Sequence, residues 1–272
     1  MAVKIQIKDF NLEATLDSGQ VFGFTKSPQN VYSGRIGNEK MELWQEGKEL
    51  HFKTQSSSAR QVVLDYFDLE RNLDGIYKIL QQDAALLPSY HAIKGLRLIR
   101  QNSWEALACF IISSNNNVKR IQGIWRNLSL YFNKEDSGFP SAMQIAKSHE
   151  RILRQLGLGY RAPFLQKTAQ FVSANPACLE AIREAPYEEA RERVMCFPGI
   201  GPKVADCVLL YGFGKFEAFP VDVWILRIVR KLYFHNRKIS EKRVRVFGQK
   251  KWGCDAGYVQ QYLFHGARMG IL

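Results

Sequence analysis

The apolar residues of this 272-residue chain change their spacing near residue 58, and that change restricts the fold more than any other feature. Before it the pattern has period two. Val3-Lys4-Ile5-Gln6-Ile7-Lys8 alternates, and short runs at Val21-Phe22-Gly23-Phe24, Met41-Glu42-Leu43-Trp44 and Leu50-His51-Phe52-Lys53 follow, punctuated by Gly19, Gly34, Gly37 and Gly47. Successive strand side chains face opposite sides of a sheet, so this is how half-buried strands with tight turns read. Beyond it the spacing is helical, at Val62, Val63, Tyr66 and Phe67 and then at Ile76, Ile79 and Leu80. From Ile93 onward the chain reads as short helices, broken at 115–117, 157–159, Pro176, Pro186, Pro198 and 212–214. Strands followed by helices predict an α+β chain: an antiparallel sheet domain with helices over 1–93, packed on an all-helical domain over 94–272. No linker separates the two, so a shared cleft is expected.

Composition excludes several classes. Hydrophobic residues make up 46% of the chain, ample for a packed core. Residues 106–113 form the longest apolar run, far too short to span a bilayer, and the first ten residues lack a signal-peptide core. A cytoplasmic protein is expected. The five cysteines are scattered, with no C-x-x-C pair and no closely spaced set near the C-terminus, so neither zinc nor an iron–sulfur cluster is expected. Net charge is +12, and residues 191–272 hold fifteen Lys/Arg against six Asp/Glu. Such a concentrated excess fits a polyanion partner or a solvated basic face.

The basic region contains FPGIGPKVADCVLLYGFGKFEAFPVD at 197–222. One helix ends near Cys196. Gly199 and Gly201 form a hairpin, and Pro202 opens the next helix at a position where its missing N–H is harmless. This is a helix–hairpin–helix motif, spanning about 191–212. Its glycines admit a phosphate close to the backbone, and the helix N-terminus adds partial positive charge. An ordinary helix–helix turn is the bland alternative.

Lys203 sits in the first turn of that helix, where partial burial and the helix dipole both favour a neutral, nucleophilic amine. It could attack an anomeric carbon, or merely contact phosphate. Asp222, in an apolar setting, could steer such chemistry or simply cap the next helix.

Together these residues resemble the helix–hairpin–helix DNA glycosylase superfamily, and within it the 8-oxoguanine DNA glycosylase/AP lyases. The likeness spans nearly the whole chain, including a TBP-like sheet domain. It implies that Lys203 is the nucleophile, that Asp222 stabilises the sugar cation, and that Gly199 and Gly201 grip the strand. Ser18-Gly19-Gln20 is similar to a segment whose glycine carbonyl accepts a hydrogen bond from N7–H of the oxidised base, which normal guanine lacks. Asp255–Phe264 is similar to the family's last helix, implying that Gln260 bonds the flipped base while Phe264 and Cys207 stack on its faces. Residues 113–121 are similar to a Ser-x-Asn-Asn-Asn run. Asn115 would then fill the vacated space, Arg120 and Arg161 would hold the orphaned cytosine, and Tyr160 would wedge beside it. Trp224 departs from the pattern, because the family often has a histidine there, near the lesion's 5′ phosphate.

The resemblance implies a monomeric, nucleoid-associated repair enzyme of compact prokaryotic form. It would act on double-stranded DNA containing an oxidised base, with no metal or organic cofactor in catalysis. Two other functions fit the residues less fully: a glycosylase for alkylated purines, and a non-catalytic DNA-binding module using only the hairpin.

Overall fold

The structure is a computed structural model and describes residues 2–37, 39–54, 59–134 and 138–272. Ala2–Gln6 (β1), Thr25–Lys26 (β2), Tyr32–Ile36 (β3), Glu39–Glu46 (β4) and Glu49–Lys53 (β5) form an antiparallel sheet in the order β1-β5-β4-β3-β2. β4 and β5 make a hairpin with a two-residue loop, which sets Leu43 opposite Phe52. β1 returns to the far side of β5, with Val3 opposite Phe52 and Ile5 opposite Leu50. Alternation puts Met41, Leu43, Leu50 and Phe52 on one buried face, which Leu12, Leu16, Val63 and Phe67 cover. Fully burying such a side chain is worth about 1.5–3 kcal/mol. A one-residue register slip would turn the whole set outward, so this core specifies the pairing.

A second, larger core begins within the same N-terminal stretch. Ile76 and Leu80 from helix Asp74–Gln82, and Tyr90 and Ile93 from helix Leu87–Ile93, pack into it with Leu107, Val208 and Tyr262. The last helix, Ala256–Arg268, approaches Leu87–Ile93 so closely that a Cβ on Gly266 would stand 2.0 Å from Ser89 Oγ. The centre of this core is helix Ser103–Ser113, whose residues 106–112 are all buried. A helix apolar on every side has to lie inside. It packs on helix Pro202–Phe213, where Ser103 Oγ donates to the Gly212 carbonyl at 2.8 Å.

Two buried polar side chains hold the seam between the cores. Arg97, 3% exposed, donates from Nε to the Asp9 carbonyl at 2.9 Å and from Nη1 to the carbonyls of Arg71, at 3.0 Å, and Asp68. Gln20 donates to the Arg97 carbonyl at 2.8 Å and accepts from the Ile99 amide at 2.8 Å. Its own carbonyl accepts from Gln101 Nε2 at 2.6 Å. Buried polar groups are tolerable only when bonded this fully, so the 17–20 turn is locked to the 97–101 segment. Among the described residues, no helix is long and apolar enough to cross a membrane.

Candidate active site

Helix Tyr187–Met195 and helix Pro202–Phe213 are joined by residues 196–201, as the motif predicted. Asp206 fixes their angle. It is buried, and its Oδ1 accepts from Tyr187 Oη at 2.7 Å and from Arg191 Nε at 2.7 Å. Burial pushes its carboxyl upward, and the Arg191 guanidinium works against that shift. Within the hairpin the two glycines are needed for different reasons. Gly199 has φ +77°, and a Cβ there would lie 2.4 Å from the Phe164 ring. Gly201 has φ −93°, open to any residue, and a Cβ there would meet nothing within 4 Å. Its outer face is free for close approach by a ligand.

Lys203, Cys207 and Tyr211 follow at four-residue intervals and share one stripe of helix Pro202–Phe213. Lys203 is half-buried beside Cys207. Burial pushes the Cys207 thiol up to about 11, and the adjacent Lys203 ammonium partly opposes this. Asp222 caps helix Val223–Tyr233, its Oδ1 accepting from the Ile225 amide at 2.8 Å. The capping possibility open in the sequence is thus realised, yet its charge also reaches the site. After burial and Cys207, Asp222 is the remaining influence raising the buried Tyr211 hydroxyl, and it also acts on Cys207 and Arg268. Lys203 and Asp222 form no direct ion pair among the described residues. Trp224 is exposed in the first turn of the same helix, with the Arg227 guanidinium 5.7 Å from its ring centroid.

The opposing wall comes from helix Ala256–Arg268 and the turn at Gly19. Gln260 is 4% exposed and donates from Nε2 to the Pro220 carbonyl at 3.2 Å, two residues before Asp222. Its Oε1 is buried with no partner. Such an unsatisfied acceptor costs about 1–3 kcal/mol, and a ligand donor would recover it. Phe264 lies one turn further along the same face and is half-buried. Gly19 has φ +83°, and a Cβ there would stand 3.7 Å from Phe264 Cε1 and 3.7 Å from Val118 Cγ2. The structure therefore sets Gly19 beside Phe264, ties Gln260 to the Pro220–Asp222 segment, and brings Lys203 and Asp222 each within electrostatic reach of Cys207.

A second group lies next to this wall, reached through Val118. Helix Val118–Asn133 is capped by Asn117, whose Oδ1 accepts from the Arg120 amide at 3.0 Å. Asn116 Nδ2 donates to the Ile112 carbonyl at 3.1 Å. Asn115 differs from both: its φ is +48°, its side chain is exposed, and it makes no side-chain hydrogen bond among the described residues. Arg161 is 2% exposed and holds this loop, donating from Nε to the Ser114 carbonyl at 2.7 Å and from Nη2 to the Asn115 carbonyl at 2.8 Å. Its guanidinium sits 4.4 Å from the Tyr160 ring centroid, and that ring is half exposed. Arg120 is exposed.

Four residues that shape the site escape a reading of motifs. Gln20 locks the turn that presents Gly19. Gln261 points away from Gln260, donating to the Ser18 carbonyl at 3.2 Å and accepting from Tyr211 Oη. Arg268 extends the Gln260–Phe264 stripe by one turn, so continuing the four-residue spacing would have found it. Nothing in the sequence marks Gln261 or Tyr211, because their partners are distant in the chain. Among the described residues, no group of three His, Cys, Asp or Glu side chains gathers as metal ligands would.

Comparisons with known proteins agree over the whole chain. Residues 2–107 match the family model of the 8-oxoguanine DNA glycosylase N-terminal domain, and residues 108–254 match that of the HhH-GPD superfamily base excision DNA repair proteins. A probable N-glycosylase/DNA lyase of Methanothermobacter thermautotrophicus is 29% identical, over 99% of this chain and 97% of its own length. The structure of MBOgg1, in complex with a low-affinity DNA ligand, superposes with a TM-score of 0.93 at 33% identity, covering 99% of this chain and 96% of that one. An 8-oxoguanine glycosylase/lyase of Clostridium acetobutylicum, bound to dsDNA containing cytosine opposite 8-oxoG, gives 0.91 at 30% identity and covers 99% of both chains. The chain belongs to the HhH-GPD superfamily of base excision DNA repair proteins, on the 8-oxoguanine DNA glycosylase branch.

Proposed function

We propose that this enzyme removes 8-oxoguanine paired with cytosine from duplex DNA and then nicks the strand at the resulting site. The observation that carries the reading is the unpartnered Oε1 of Gln260, buried one helical turn from Phe264 on a side chain tied to the Pro220 carbonyl beside Asp222. A flipped base with a donor on its Watson–Crick edge would satisfy it. The Gly19 carbonyl then attracts the N7–H of the lesion and repels the bare N7 of guanine.

The hairpin grips backbone phosphate through the open face of Gly201, and the surrounding basic residues bind the duplex without reading its sequence. Asn115 enters the space the base has left. Tyr160 wedges beside it, Arg120 contacts the orphaned cytosine, and Arg161, three of whose five N–H groups hold the carbonyls of Ser114, Leu158 and Asn115, offers the other two to the same base. These contacts offset the few kcal/mol that flipping costs.

The Lys203 nitrogen, having given up a proton to solvent, attacks C1′. The C1′–N bond to the base breaks, the base leaves with its electron pair and takes up a proton, and Asp222 stabilises the positive charge on the sugar in between. Ring opening gives a lysine Schiff base. Loss of a C2′ proton then expels the 3′ phosphate and cuts the strand. As a DNA-repair enzyme, the protein works at the nucleoid.

Sodium borohydride should trap the enzyme covalently on an 8-oxoguanine:cytosine duplex, and Lys203→Gln should abolish trapping. Undiminished trapping by that variant would exclude Lys203 as the nucleophile. Release of methylated purines without release of 8-oxoguanine would overturn the assigned substrate.

A further inference from the structure

Beyond Phe264 the base-facing stripe continues to Arg268, whose environment the chemistry above does not explain. Its Nη1 lies 2.8 Å from where a Cβ of Gly19 would stand, so it reaches the turn that presents the recognition carbonyl. Its Cζ is 5.5 Å from the centroid of the Phe264 ring. Among the described residues the guanidinium donates no hydrogen bond and makes no direct ion pair. The residue is exposed, so these donors are open to solvent and to a ligand. The Phe264 ring holds the guanidinium beside the turn, and two acids, Asp17 and Asp222, act on it at longer range. Desolvation by the neighbouring protein pulls the Arg268 guanidinium below its usual range, against the opposing influence of Asp17 and Asp222.

We propose that Arg268 is a specificity-determining residue that donates a hydrogen bond to the C8 carbonyl oxygen of the flipped purine, beside the bond from N7–H to the Gly19 carbonyl. This rests on the reading of the site as a pocket for an oxidised purine. The oxidised edge presents a donor at N7 and an acceptor at C8. A backbone carbonyl next to a guanidinium presents the complementary acceptor and donor. Guanine offers neither, since its N7 is a bare acceptor and its C8 carries only C–H. The pair therefore reads the two atoms that oxidation changes, and a guanine that flips in meets both a repelled carbonyl and an unsatisfied cation.

The test compares the parent enzyme with Arg268→Ala and Arg268→Lys in single-turnover assays on three duplexes. These carry 8-oxoguanine, 8-oxoadenine or a preformed abasic site, each opposite cytosine. 8-Oxoadenine keeps the C8 oxygen and N7–H but differs along the Watson–Crick edge, with an amino group at C6 and none at C2. Arg268→Ala should slow excision of both oxidised purines by a similar factor, roughly tenfold or more as for a lost charge-assisted bond. Cutting of the abasic site, which has no base to read, should be unchanged. Arg268→Lys should recover part of the loss. An equal loss on the abasic duplex would make Arg268 a backbone contact and overturn the proposal. So would a loss confined to 8-oxoguanine, which would place the contact on the Watson–Crick edge, or no loss on either purine. Failure of the parent enzyme to release 8-oxoguanine would instead sink the proposed function, so the two can be told apart.

Discussion

The side-chain amide of Gln261 donates to the backbone carbonyl of Ser18 at 3.2 Å, joining residues 243 positions apart. The same side chain accepts from Tyr211 Oη on the helix that carries Lys203. One buried amide thus sets the base-facing turn, the last helix and the lysine-bearing helix relative to one another. In the proposed function a base held by Gly19 would meet the Lys203 nitrogen at the right distance only with this tie intact, and a displacement near 1 Å is enough to cost about a hundredfold in rate.

Gln261→Leu should therefore lower stability by about 1–3 kcal/mol, because it strands a buried hydroxyl and a buried carbonyl. It should also slow base excision more than strand cleavage at a preformed abasic site, which needs no base pocket. Urea unfolding and single-turnover rates on the two duplexes would check this. Equal slowing of both steps would mean that the tie supports the fold without aligning the pocket.

Asp222 caps a helix and, in the proposed function, also stabilises the sugar cation, and two substitutions separate the two roles. Asp222→Asn keeps an oxygen for the Ile225 amide and removes the charge. Stability should stay within about 0.5 kcal/mol while excision of 8-oxoguanine collapses. Asp222→Ala should lose excision and about 1 kcal/mol of stability as well. Thermal melts beside excision assays distinguish them. Full activity in Asp222→Asn would remove the carboxylate from the mechanism.

The hairpin glycines predict opposite failures. Gly199→Ala places a Cβ 2.4 Å from the Phe164 ring at a residue with φ +77°, so it should destabilise the protein by about 2–4 kcal/mol. Gly201→Ala meets no neighbour, so the fold should melt as the parent does while affinity for duplex DNA falls. A melting curve and a fluorescence-anisotropy titration on each variant decide the matter.

His265 makes stability depend on acidity. It is 7% exposed, its Nδ1 has no partner, and burial, with Arg268 nearby, pulls its pKa down to about 4, against a slight opposing effect of Asp17. The unfolded chain therefore binds a proton near pH 6.5 that the native state refuses until about pH 4. Stability from this residue is complete above pH 6.5 and is lost as pH falls through that window, by up to about 3 kcal/mol. Midpoints of urea unfolding from pH 7.5 to 4.5 should fall more steeply for the parent than for His265→Gln. Parallel curves would count against the buried imidazole as the source.

Much of this protein was legible before any coordinates. Periodicity separated sheet from helices because side-chain direction repeats every two residues in one and every 3.6 in the other. The hairpin and the Asp222 cap were legible, and Lys203 stood out beside them, because a turn glycine or a cap leaves a local signature within a few residues. Gln260 and Phe264 were visible as a pair for the same reason, being one helical turn apart. What only the tertiary structure decided were the relations across long stretches of chain. These include the way Gln20 presents Gly19 to Phe264, the Gln261 tie, the Arg161 clamp under Asn115, and the approach of Arg268 to the recognition turn. Such contacts are set by how two cores pack, and they leave no period or spacing in the sequence. An unpaired amide oxygen at Gln260 or an unused guanidinium at Arg268 becomes visible only once every neighbour that might have satisfied it is in place.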